Sequence, residues 1–144
     1  MIARIRHTGI VVSALDRALQ FWTDVLGFEV KIRMDEAGPH IDAMMGLEDV
    51  RVTTAKLRAP DDSMVELLQF RSHPDAPTWT GSAKTTGLTH IALTVNDIDE
   101  VGARVEAFGG SLVAQPQSSP DGNVRVTYCR GPEGLLIELV QELR

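Results

Sequence analysis

The chain repeats itself, and the repeat limits the folds open to it. A gapless shift of 83 residues lays His7 on His90, Val12 on Val95, Asp16 on Asp99, Gly27 on Gly110 and Val30 on Val113. Ile10 on Leu93 and Leu15 on Ile98 agree in kind. A later block returns at a shift of 72, where Glu66-Leu67-x-Gln69 becomes Glu138-Leu139-x-Gln141, so the second copy has lost about eleven residues from its middle loops. Two copies of one supersecondary unit, related by a pseudo-twofold, place equivalent side chains around a shared axis where they can meet at one point.

Each copy reads as βαβββ. Residues 4–12, RIRHTGIVV, are rich in β-branched side chains and run up to Ser13, which can cap a helix. In that helix Leu15, Ala18, Leu19, Trp22, Val25 and Leu26 recur at three- and four-residue spacing, and Gly27 is its expected stop. FEVKIRM, VRVTTAKLRA and MVELLQF follow as three strands, separated by the turn-rich stretches DEAGPHID and PDDS. The order then begins again. GLTHIALTV is a strand, Asn96 or Asp97 can cap the next helix, and Ile98, Val101, Val105 and Phe108 form its apolar stripe before Gly109 and Gly110. SLVAQ, VRVTYCR and LLIELVQ complete the second copy. The stretch SHPDAPTWTGSAKTTG suits a surface linker. The expected organisation is α+β, with a first module over 1–72, a linker over 73–86 and a second module over 87–144.

Composition narrows the partners. A formal charge of −6, from 14 Lys+Arg against 20 Asp+Glu without basic clusters, argues against a nucleic-acid surface. No run approaches the roughly 20 apolar residues of a membrane span, and MIARIRHTGIVV reads as a strand rather than a signal peptide. The single cysteine, Cys129, allows neither a disulfide framework nor a cysteine-based zinc site within one chain, which points to a reducing cytoplasm. The expected partner is a small molecule.

His7, Glu66, His90 and Glu138 are the candidate ligands of one divalent metal. Imidazole nitrogens and carboxylate oxygens suit zinc, nickel, cobalt, manganese or ferrous iron, and strands hold such ligands more rigidly than loops. Glu66 and Glu138 are carboxylates inside apolar strands, where an unpaired charge is rarely tolerated. A lone histidine can be a surface residue and either glutamate can face water, but the repeat makes the four a set. His40 and His73 lie in polar stretches without a counterpart in the other copy and read as loop residues, with His40 an outside candidate for a pocket rim. Met44, Met45, Met64, Phe70 and Trp79 are candidates to line an apolar substrate pocket, against the plainer reading as packing.

These features together resemble the vicinal oxygen chelate superfamily, the group that includes glyoxalase I, methylmalonyl-CoA epimerase, extradiol dioxygenases, fosfomycin-modifying enzymes and bleomycin-binding proteins. The resemblance runs through His7, LDRALQFWTDVLGFEV, VELLQ with Glu66, GLTHIALTVNDID with His90, and GPEGLLIELVQ with Glu138. It implies paired βαβββ modules forming a curved, mostly antiparallel, barrel-like sheet around a divalent metal, and a homodimer. Having both Glu66 and Glu138 is similar to glyoxalase I and close to the epimerase. Departures stand at Val11, where glutathione-using members carry arginine, at Phe70 in place of asparagine, and at Thr89-His90 in place of a double histidine.

The reaction so implied is that of a metal-dependent isomerase, epimerase or lyase. It moves a proton through a metal-bound enolate of a small carbonyl or acyl-thioester substrate, with Glu66 and Glu138 as alternating base and acid. One alternative is an extradiol-type ring-cleaving dioxygenase using His7, His90 and Glu138. Another is a ligand-sequestering resistance protein without turnover.

Overall fold

A strand, a helix and a return to that strand's side is the first move of each half of the chain. The computed structural model describes residues 1–74 and 77–143, and the chain divides into two units, Met1–Pro77 and Thr78–Arg144. The first contains β1 (Thr8–Val11), α1 (Leu15–Gln20), β2 (Glu29–Ala37), α2 (Pro39–Met45), β3 (Arg51–Arg58) and β4 (Met64–Phe70). The second contains β5 (Ile91–Thr94), α3 (Ile98–Ala107), β6 (Ser111–Leu112), β7 (Gln117–Ser118), β8 (Val124–Arg130) and β9 (Leu136–Glu142). The α+β class holds, with one open, mostly antiparallel sheet in each unit and, among the described residues, no strand closing either into a barrel. Among the described residues no helix is long and apolar enough to cross a membrane.

The two sheets share one topology. Their orders are β1-β4-β3-β2 and β5-β9-β8-β6, with β7 pairing β8, and in each the first strand lies parallel to the last. The registers agree residue for residue: Gly9 faces Glu66 and Ala92 faces Glu138, while Lys56 faces Glu66 and Tyr128 faces Glu138 across the neighbouring antiparallel pair. Both sequence shifts therefore survive as pairing shifts.

Alternation sets which side each strand buries. In β4, Val65 and Leu67 are buried between the partly exposed Met64, Glu66 and Leu68, and in β9 Ile137 and Leu139 are buried around Glu138. The buried side lies under the helix in each unit: α1 contacts β4, and α3 contacts β6, β8 and β9. Trp22 and Phe21 are the largest fully buried side chains of the first core, and Trp22 stands edge-on to Phe28 at 4.9 Å. Aromatic pairs in this geometry add to what their burial contributes. Cys129 is fully buried, and burial pushes its thiol up to about 11, so it stays a protonated apolar side chain.

Several local expectations change. Arg4 to His7 precede the first strand rather than joining it. Ser13 is not the cap of α1: Ala14 is, and the Leu15 N–H donates to Gln69 Oε1 at 3.0 Å, while Gln69 Nε2 donates to the Ser13 carbonyl at 2.7 Å. Gln141 does the same in the second unit, accepting from Ile98 N–H at 3.2 Å and donating to the Asn96 carbonyl at 3.0 Å. Asp97 caps α3 as expected, accepting from the Asp99 and Glu100 amides. After α1 the helix widens into one π-helical turn, Phe21–Val25, before Gly27 ends it at φ 77°. The stretch read as a turn, DEAGPHID, finishes β2 and starts α2. There Pro39 occupies the first helical turn, and Ile41 and Met45 share an apolar face against Val50 and Val52. SLVAQ yields only the two residues of β6.

The glutamine clamp is a stability element with a direct check. Gln69→Ala removes two hydrogen bonds that tie the start of α1 to β4, and urea unfolding should show a loss of about 1–3 kcal/mol. A loss within error of zero would mean that water replaces the clamp at no cost.

Candidate metal centre

The parallel pairing of first and last strand brings each histidine to its glutamate. His7 lies two residues before Gly9 and His90 two residues before Ala92, so each imidazole shares a face with the residue opposite the glutamate. Those opposite residues are small, a glycine and an alanine, and leave the space in which the imidazole meets the carboxylate. His7 Nε2 stands 3.5 Å from Glu66 Oε2, and His90 Nε2 stands 3.2 Å from Glu138 Oε2. Both glutamate side chains are largely covered, 13% exposed for Glu66 and 22% for Glu138, so the pairs are not free surface contacts.

The donor chemistry can be tested against a divalent ion. Two ligand atoms each about 2.1 Å from one ion, at angles of roughly 90–110°, lie about 3.0–3.4 Å from each other. The two Nε2–Oε2 separations fall at or just beyond this range, with Nε2 the facing nitrogen in both. His90 Nδ1 is 2.8 Å from Thr89 Oγ1. A metal-binding imidazole needs such a second partner, because an Nδ1–H donated to it leaves the Nε2 lone pair available. Each pair therefore offers two donors of the types that such a divalent ion takes. The structure places the four candidates as two pairs, one in each unit. It adds no third ligand to either, since among the described residues no three His, Cys, Asp or Glu side chains are gathered at one point.

The neighbours of the two pairs differ. Lys56 Nζ approaches Glu66 Oε2 at 3.9 Å. At the matching position Tyr128 lies edge-on to His90, with ring centroids 5.1 Å apart. Its phenol is held above the ordinary value, first by burial and then by the charge and hydrogen bond of Glu138. Sequence reasoning misses Lys56 and Tyr128 because the two copies differ at this position. The signal that would have found them is the cross-strand partner of each glutamate, once the turn before β4 and β9 is counted through.

The five pocket candidates lie on α2, on β4 and in the segment before β5. Met45 and Phe70 pack with Leu68 against Ile41, Val50 and Val52. Met44 is exposed on α2. Trp79 belongs to the second unit, with the Arg130 guanidinium 5.9 Å above its ring. Met64 borders a cavity of about 180 Å³ beside His7. His40 is exposed on α2, and His73 is exposed with Nδ1 2.8 Å from Ser72 Oγ.

Comparison with known proteins gives the arrangement a context. The family model described as Glyoxalase/Bleomycin resistance protein/Dioxygenase superfamily matches residues 4–139. A crystal structure of a glyoxalase family protein from Bacillus cereus shares 32% identity and a TM-score of 0.92, covering 100% of this chain and 97% of that one. A probable lactoylglutathione lyase of Vibrio cholerae is 26% identical over 96% of this chain and 90% of its own length. A 2-epi-5-epi-valiolone epimerase of an Actinomyces species is 29% identical over 94% of this chain and 78% of its own length.

The Thr89 contact makes a prediction. Thr89→Val leaves Nδ1 of His90 without its partner, so nitrogen NMR should show a changed tautomer balance at His90 and an unchanged one at His7. An unaltered His90 spectrum would remove Thr89 from the centre.

Proposed function

Because this chain belongs to the Glyoxalase/Bleomycin resistance protein/Dioxygenase superfamily, we propose that it is a divalent-metal-dependent lyase or isomerase acting by proton transfer on a small carbonyl or acyl-thioester substrate. The observation that carries the reading is the His–Glu pair, formed twice in the same strand register. Two protein ligands are too few to hold a transition metal tightly, and a second pair of the same kind completes a four-ligand set. His7, Glu66, His90 and Glu138 are accordingly proposed as the ligands of one zinc, nickel, cobalt, manganese or iron ion, in a chain that works as a homodimer.

When bound, the ion supplies Lewis acidity toward the substrate oxygens, which makes the neighbouring C–H easier to ionise. The chain's own groups move the proton. Glu66 and Glu138 each carry a carboxylate oxygen not engaged by its histidine, and a carboxylate on either side of the reacting carbon can remove the proton while the other returns it. The two are not equivalent. Lys56 places positive charge beside Glu66, whereas Tyr128 shares a hydrogen bond with Glu138, so the two steps have different partners. The names of the relatives, a probable lactoylglutathione lyase and an epimerase, are consonant with the lyase or isomerase class. The positions of Val11 and Phe70 lead the reading away from glutathione itself.

Purified chain supplied with nickel, zinc or cobalt should retain about one ion per His7–Glu66–His90–Glu138 set. It should also exchange solvent deuterium into an α-hydroxy carbonyl or an acyl thioester. Glu66→Gln and Glu138→Gln should each slow that exchange by about 10²-fold or more. Failure to retain any of these metals overturns the reading, and oxygen uptake with a catechol in place of exchange would move it to ring cleavage.

A further inference from the structure

We propose that Arg4, Arg6 and Lys56 form an anion subsite that holds a carboxylate or phosphate group of the substrate, a step that rests on reading the His–Glu pairs as the reactive centre. The three side chains line the cavity of about 180 Å³ whose wall also includes His7. A substrate reacting at the His7–Glu66 pair would thus extend directly into it.

Three features separate this cluster from ordinary surface charge. The chain carries a net charge of −6, so three cations on one small wall run against its overall balance. They repel one another unless an anion sits among them. The two arginines are also not spent on other partners. Asp62, the acid on the wall, pairs with Arg58 at 3.4 Å. Lys56 is paired loosely with Glu66 at 3.9 Å, and among the described residues neither Arg4 nor Arg6 has a carboxylate within ion-pair reach.

The repeat supplies an internal control. The positions matching Arg4, Arg6 and Lys56 in the second unit are Gly87, Thr89 and Tyr128, none of them charged. Backbone register is the same in both units, so the fold does not demand these cations. Their confinement to one copy gives the centre a charged end and a neutral end, and with it a fixed direction for an anionic substrate. Two arginines can grip the planar or tetrahedral oxygens in a bidentate manner, and Lys56 adds a point charge beside the reacting carboxylate.

The test uses the full chain with metal removed by chelation. Amide NMR would follow titration with lactate, with inorganic phosphate and with neutral lactamide. Lactate and phosphate should shift residues 4–7, 56 and 62–64 saturably, and lactamide should not. Arg6→Gln with Lys56→Gln, on exposed or half-exposed side chains that leave the core intact, should weaken anion binding by about tenfold or more.

Tighter lactate than phosphate binding assigns a carboxylate substrate, the reverse assigns a phosphate ester, and both support the subsite. No saturable shift, equal shifts around Gly87, Thr89 and Tyr128, or full binding in the double variant would overturn it. Because metal is absent throughout, failure here leaves the proposed metal chemistry standing. Failure of metal retention would equally leave an anion site in place.

Discussion

Everything at the candidate centre depends on one constraint, the parallel pairing of the first strand of each unit with its last. A parallel pair cannot be closed by a hairpin, so the chain must travel through a helix and two further strands before it returns. That detour is what places a residue near the start of the unit beside one near its end: His7 beside Glu66, and His90 beside Glu138. The Gln69 and Gln141 clamps bind the far ends of these same strand pairs to the helix that crosses them. A slip by one residue would turn both glutamates into the apolar layer under the helix, where Leu67 and Leu139 now lie, so the burial of the neighbours enforces the register.

Duplication then gives the pairs chemical interest. A single half-covered His–Glu contact is a common feature of proteins and would support no metal. Two copies in identical register offer four donors of the types that divalent metals take. They also leave freedom to diverge around them without disturbing the strands. Lys56 against Tyr128, and Arg4 and Arg6 against Gly87 and Thr89, are where that freedom was used. The duplicated backbone holds the donors, and the unmatched side chains give the two pairs different surroundings.

Much of this was legible in the residues alone, for reasons that can be stated. The shifts of 83 and 72 reappear as strand registers because side-chain alternation and helix periodicity leave strong patterns in Val65-Glu66-Leu67 and in Leu15 to Val25. Tertiary effects were harder to see. Ser13 looked like a cap, but a glutamine 56 positions away takes part in that turn, and no local pattern announces such a partner. The α2 helix was hidden because glycine and proline at 38 and 39 read as a turn, when they are also what starts a helix. Among the proposed pocket residues, Met45 and Phe70 pack against α2 and its neighbours, a role that could not be assigned before that helix was known. The cations at 4, 6 and 56 are far apart in sequence, and their shared wall exists only once β3 is laid beside β4.

The most direct test of the central claim is X-ray absorption at the metal edge of zinc-loaded protein. The account predicts a first shell of nitrogen and oxygen only, with scattering from about two imidazoles, falling to one in His7→Ala and in His90→Ala alike. A shell with a single imidazole that is lost in one variant and untouched in the other would contradict it, because the two pairs would then not serve the same ion.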